Sequence, residues 1–550
     1  MSTLSEYSKK RAIPTRTRAV IASEPVRVTN FMGGNSFTLS PLQTLKIVAA
    51  SSIFGEPQYY RQGMKTVETV KNKGTIMEYS VIKDLFAGNE QTATSIFTKA
   101  IDAALAYDFK GTLDLALELR KDYFMRLNPS VIFVRASQHP NRSAFNEANP
   151  GVMKSIGKAI AMRPDDVTNQ LDYFMYLNKT KNGLSSILKR TWAETLQAFS
   201  RYQLNKYKGK SLIDLVRISH ASSADINELM KTGTLVMSDS ERTWEQLKSE
   251  GKTWKEILNI IDMPHMALLR NLRGIFTEIK NIDETTTILN KLKSGVIRGK
   301  QFPFRYYSAY KAISDAHEVN NQMMVLDALE ECLDVSVANM PKLTGKVACL
   351  SDNSGSSWGH CPSEYGATVV AEIANLSSII TALQSDEGYV GVFGDKLSLK
   401  GVSKRNGILS QLKETCERGT AQGGGTENGI WLFWDEAIRN KIHYDTVFIY
   451  SDMQAGHGGL YGTSEGKRDY VSEYGYKGGN YIDVLKLVEK YRQTVNPKVN
   501  MFTVQVAGYD NSLIPENLYR GAILAGWTGK ESSYAQMIIK TWNQVESNKQ

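Results

Sequence analysis

The 550-residue chain changes its hydrophobic rhythm near residue 340, and this break constrains the fold more than any other feature. Before it, apolar residues recur at helical spacing. In SIFTKAIDAALAYDF, Phe97, Ile101, Ala104 and Leu105 fall on one helix face. TWAE (191–194), TWEQ (243–246) and TWKE (253–256) read as capping boxes, in which Thr accepts from a backbone N–H and the residue three positions on reaches back. Pro129, Pro264 and Pro303 fall at helix starts. Many short helices with little strand signal predict a solenoid-like array of stacked helical pairs. After SVANMPKLTG (336–345) the strand-like runs KVACLSD, GYVGVFGD, YDTVFIYSD, NMFTVQVAG and AILAGW alternate with helical ones. Such alternation predicts a mostly parallel sheet covered on both faces. The expected fold class is therefore α plus α/β, with a basic arm at 1–30, a helical module at 31–340 and a Rossmann-like domain at 341–550.

Charge is distributed unevenly across that break. From residue 341 onward there are 21 Lys/Arg against 22 Asp/Glu, leaving 45 against 35 in the first 340 residues, so the whole excess of +9 comes from the helical part. An anionic partner is expected there. The 42% hydrophobic and 22% charged composition is that of a soluble globular protein, and no run approaches the ~18 apolar residues of a membrane span. The start of the sequence is basic and polar without the apolar core of a signal peptide, so a cytoplasmic protein is expected. Cys332, Cys349, Cys361 and Cys416 form no C-x-x-C pair, which excludes a zinc or disulfide framework of the usual spacing.

The first strand after the break ends in Asp352-Asn353-Ser354-Gly355-Ser356, and a later one, VFIYSD, ends in Asp452. Between them AQGGGTENG places Thr426 in a glycine-rich loop. Open α/β sheets bind ligands at the carboxyl ends of their strands. Asp352, Ser354, Ser356, Thr426 and Asp452 offer two carboxylates and three hydroxyls, a hard, weakly charged donor set that suits Mg²⁺. In order and spacing these residues resemble the metal-ion-dependent adhesion site (MIDAS) of von Willebrand factor A domains. The neighbouring His360 and Cys361 read as structural.

The densest basic stretch lies in the helical module. Between residues 181 and 220 there are eight Lys/Arg against Glu194 and Asp214, with Trp192, Tyr202 and Tyr207 interleaved. Cations for phosphates and aromatic faces for bases are what an RNA-binding groove requires, and a solvated helix face with core aromatics is the competing reading. LRKDYFMRLNPSVIFVRAS (119–137), NKYKGKSLIDLVRISH (205–220), MPHMALLRNL (263–272) and PKLTGKVACLSDNSGS (341–356), joined to the A-type domain, resemble the Ro autoantigen family with its TROVE module, in its bacterial form. The resemblance implies a monomeric ring of HEAT-like helical repeats closed by the A domain. It implies a non-catalytic ribonucleoprotein scaffold that binds small noncoding Y RNAs and the ends of misfolded RNAs, in noncoding RNA quality control or processing. An exoribonuclease or another protein is the partner expected at the A domain. Carried over by position, the resemblance implicates Lys206, Lys208, Lys210, Arg217 and His220 in RNA contact, and Lys189 and Arg190 join them on charge. Arg270, Arg273 and Arg305 are basic candidates for the ring's hole. Two rivals remain. One is an adhesion or assembly protein whose metal captures an acidic partner. The other is a metal-dependent nuclease, which usually needs more carboxylates or a second metal.

Overall fold

The structure is a computed structural model. It describes residues 27–29, 35–37, 39–51, 93–177, 183–238, 242–359, 369–424, 429–451, 460–461, 481–482, 484–506, 519–525 and 529–547. From Pro41–Ser51 to Gln322–Val337 the described chain is helical apart from the short pair Arg27–Thr29 and Asn35–Phe37 that precedes it. Phe97, Ile101, Ala104 and Leu105 are all fully buried, as their spacing predicts. Helices pack on others one to three places away in the chain along the array.

Two of the three expected caps form. Thr243 and Thr253 each accept from the backbone N–H three residues on, and Gln246 and Glu256 answer by accepting from the backbone N–H of Thr243 and Thr253. The third does not. Thr191 lies inside the helix Ser186–Gln197, where its hydroxyl donates to the Ile187 carbonyl. The apolar face of Leu188, Trp192 and Leu196 runs straight through that position and carries the helix past it.

Beyond Val337 the chain enters a six-stranded sheet. Its strands are β1 (Leu343–Asp352), β2 (Ser385–Phe393), β3 (Leu397–Gly401), β4 (Thr446–Ser451), β5 (Asn500–Gln505) and β6 (Gly521–Ala525). They lie in the order β6-β5-β4-β1-β2-β3, all parallel except the antiparallel edge strand β3. Alternate residues serve opposite faces. Val347 and Cys349 of β1, Phe448 and Tyr450 of β4 and Phe502 of β5 join the large apolar cluster that also contains the helical array. Ala348, Leu350, Val447, Ile449 and Met501 join a separate core under the helices Gly429–Arg439 and Val484–Thr494.

Both ends of the array rest on the sheet domain. The first helix, Pro41–Ser51, packs against β6 and the last helix, Glu531–Ser547. At the other end Lys311 pairs with Glu372 at 2.9 Å, Gln384 donates to the Val337 carbonyl, and Asp334 accepts from the Ile408 N–H. Lys530 sits between the two ends. Its Nζ donates to the Tyr123 carbonyl at 2.8 Å and lies 5.1 Å from the Phe302 ring.

Candidate functional site

The sheet changes direction of growth at β1. The chain goes from β1 outward to β2 and β3, then returns to lay β4, β5 and β6 on the other side. The carboxyl ends of β1 and β4 therefore flank the crevice where ligands bind in doubly wound sheets. Asp352 ends β1 there, fully buried. One of its carboxylate oxygens accepts from the Ser354 N–H at 2.9 Å and the other from the Ser451 hydroxyl at 2.8 Å. The Ser354 and Ser356 hydroxyls lie 3.2 Å apart, with Ser356 exposed.

A polar network fixes the turn from below. Asn353 and Asn375 exchange hydrogen bonds through their amides at 2.9 and 3.0 Å, and Ser351 donates to Asn375 Oδ1 at 2.6 Å. Trp358 Nε1 donates to the Asn353 carbonyl. Ser351, Asn353 and Asn375 are almost wholly buried and mutually satisfied, which makes the turn rigid. Thr426 and Asp452 lie outside the described residues, as do His360 and Cys361. The chain reaches the site just before each of the first two: Gly424 accepts from the Gly355 N–H at 2.9 Å, and Ser451 is the residue that bonds Asp352. Among the described residues no three His, Cys, Asp or Glu side chains come together as a metal cluster, so the donors gathered here are mainly hydroxyls. The buried thiols of Cys332 and Cys349 are pushed up by burial, Cys332 to about 12, and stay protonated.

The basic segment divides between two helices and the link joining them. Ser186–Gln197 carries Lys189 and Arg190, and Lys210–Ser219 carries Lys210 and Arg217. The two helices pack together, and Gln197 Nε2 donates to the Ser222 carbonyl, joining their C-terminal ends. Lys206 ends the short helix Arg201–Lys206, and Lys208 lies in the link. Arg217 sits two turns beyond Lys210 on the same helix face, about 10 Å further along. His220 caps this helix in the left-handed conformation, φ 58°.

All seven side chains except half-buried Lys189 are exposed. Their partners are weak ones. Lys206 donates to the Tyr202 hydroxyl and Lys208 to the Thr234 hydroxyl, and Arg217 is 4.0 Å from Asp214. Lys189, Arg190 and Lys210 make no ion pair or side-chain hydrogen bond among the described residues. Arg201, by contrast, is held by Asp225 and Glu228. Trp192 is a core residue: it is 1% exposed, and its Nε1 donates to Gln170, so it offers no face to a base. Tyr202 and Tyr207 are partly exposed, each with a cation over its ring, Lys206 at 5.5 Å and Arg163 at 5.7 Å.

Three cations here were not picked out from sequence. Lys154 and Lys158 project from the neighbouring helix Val152–Ile160 to Glu194, one turn beyond Arg190, and hold its carboxyl below the usual range. Their i,i+4 spacing in VMKSIGKAI was the available signal. Arg163 was invisible, because only the fold brings it to Tyr207. Of the three arginines suggested for the hole, Arg270 and Arg273 are exposed on the helix His265–Glu278, and Arg305 lies over the Phe304 ring at 5.3 Å.

Comparison with known proteins agrees with this architecture. The TROVE domain family matches residues 231–326. The fold is similar to the crystal structure of the Deinococcus radiodurans Ro (RSR) protein, with a TM-score of 0.61, 15% identity, and coverage of 91% of this chain and 100% of that one. No curated protein matches the chain by sequence. The chain thus matches the TROVE domain over part of its helical half and is similar in fold to a bacterial Ro protein along nearly its whole length.

Proposed function

We propose that the protein is a non-catalytic RNA-binding scaffold that holds small, structured noncoding RNAs of the Y type and the ends of misfolded RNAs, and so serves RNA quality control or processing. The observation that carries this reading is the set of cations at half-buried Lys189 and exposed Arg190, Lys206, Lys208, Lys210 and Arg217 that the fold leaves without close carboxylate partners. Phosphates supply the missing counter-charge, and such contacts position an RNA without specifying its sequence. His220, held at a helix end beside this surface, adds a hydrogen-bonding edge.

The strand-end site has a separate task in this proposal. Ser354 and Ser356 hold a divalent ion, Mg²⁺, together with Thr426, and Asp352 and Asp452 complete the set. The buried, doubly bonded Asp352 and the paired hydroxyls fit a small hard cation. In this reading the sheet domain is a von Willebrand factor A domain whose ion captures an acidic group of a protein partner.

The test is to purify the protein from its own cells in mild salt, extract the bound nucleic acid and sequence it. One or a few structured small RNAs, lost in a Lys206/Lys208/His220 triple alanine variant, are expected. Recovery of no RNA above a control protein would make the basic surface a solvated face and leave the metal site as the centre of function. Asp352→Ala separates the two sites: RNA affinity should survive it, and loss of all binding would favour the adhesion reading.

A further inference from the structure

The helix Ile408–Thr420 carries a second polar constellation before the end that meets the strand-end turn. Its Gly419 lies against Asn353, whereas Glu414, Thr415 and Arg418 line a cavity of about 50 Å³ between this helix and the edge of the sheet. Ile379 and Val390 supply apolar wall to the same cavity, and Lys400 lines it from β3. Gln411 builds the remaining side. It accepts from the Ser403 N–H and donates to the Ser403 and Asn406 carbonyls, fixing the turn that follows β3.

Arg418 is only half satisfied in this setting. Its Nη1 donates to the carbonyl and the hydroxyl of Ser398. Its Nε is buried without a hydrogen-bond partner, and Nη2 makes no hydrogen bond among the described residues. Nε and Nη2 form the edge of a guanidinium that takes a carboxylate through two parallel bonds. Burial also lowers the pKa of Arg418, and the nearby Glu414 only partly offsets this. A buried donor left unpaired is costly, so a ligand that pairs it is strongly favoured. Thr415, one turn earlier and 4% exposed, has no hydrogen-bond partner for its hydroxyl among the described residues.

We propose that this cavity is a binding site for a small monocarboxylate, whose oxygens take the Arg418 guanidinium and the Thr415 hydroxyl while a short apolar tail lies on Ile379 and Val390. The charges present select a single negative charge. Lys400 and Arg418 face one carboxylate, Glu414, which already pairs with Lys400, so the lining has room for one further anion. A dianionic phosphate would exceed that balance and would waste the apolar wall.

Equilibrium dialysis of the full chain against radiolabelled propionate, with unlabelled acetate and inorganic phosphate as competitors, tests the assignment. Saturable binding of one propionate per chain is expected, displaced better by acetate than by phosphate. Thr415→Val, which keeps the side-chain shape, should weaken binding about fivefold, and Arg418→Gln at least tenfold. Thermal melts establish that each variant is folded; if Arg418→Gln is not, Thr415→Val decides. Absence of saturable binding would overturn the proposal, as would equal binding by a folded Thr415→Val variant. Displacement by phosphate better than by acetate would overturn the carboxylate assignment.

Discussion

Gly419 has no room for a side chain, since a Cβ there would lie 2.0 Å from Asn353 Oδ1, an atom already bonded to Asn375. Gly419→Ala should therefore lower stability by about 1–3 kcal/mol, the usual cost of overpacking, seen as a lower midpoint in urea. His265 is constrained in a similar way. Its ring presses on Gly295 and Gly299, its Nε2 bonds the Tyr306 hydroxyl at 2.7 Å, and its Nδ1 is buried without a partner. Burial lowers its pKa below the ordinary 6.5. The unfolded chain then takes up a proton at a pH where the folded one does not. Stability should be fully present above about pH 6.5 and fall as the pH drops below it. Melts of the protein and of His265→Gln at pH 7.5 and 5.5 check this; an equal pH dependence in the two would assign the effect elsewhere. Residue-scale features such as these were hidden in the sequence, where neither Gly419 nor His265 differs from any other Gly or His. Asp352, Ser354 and Ser356 were legible because their spacing alone, on a strand end, brings them together.

Among elements, the short helices Trp244–Ser249 and Trp254–Ile260 depend most on their caps. A helix of six or seven residues makes few internal hydrogen bonds, so the Thr side chain that satisfies an orphan N–H matters in proportion. Thr253→Ala should cost about 1 kcal/mol, measured as a shift in the urea midpoint, with Thr253→Ser close to neutral. The failure of the same motif at Thr191 shows the limit of reading caps by spacing. A cap needs an extended residue ahead of the helix, and the face of Leu188, Trp192 and Leu196 had already set the helix going by Ser186. That apolar face also explains why Trp192 is core rather than a platform for bases. The strands were easier to read. β1, β4 and β5 are built around short apolar runs because each is covered on both faces, and such runs differ plainly from the helical periodicity before residue 340.

At the scale of the whole molecule, an RNA held mainly through phosphates should dissociate steeply as salt rises. Replacing Lys206, Lys208 and Lys210 together by Ala should make the slope of log affinity against log salt shallower by about 2 for a single-stranded ligand. Filter binding across a salt series measures it, and an unchanged slope would remove those lysines from the interface. The full extent of the basic surface was not legible in the sequence, because Lys154, Lys158 and Arg163 join it only through the packing of separate helices. The position of Lys530 has another consequence. An open solenoid needs terminal caps with polar outer faces, and among the described residues this array shows none at its first helix, where Leu45, Ala49 and Ala50 are buried in the common core. The sheet domain plays the part of both caps at once, so each half completes the other's folding unit. Cutting the chain near residue 340 would bare the surface of the first helix that the sheet domain covers, and the helical fragment should self-associate rather than remain a single particle.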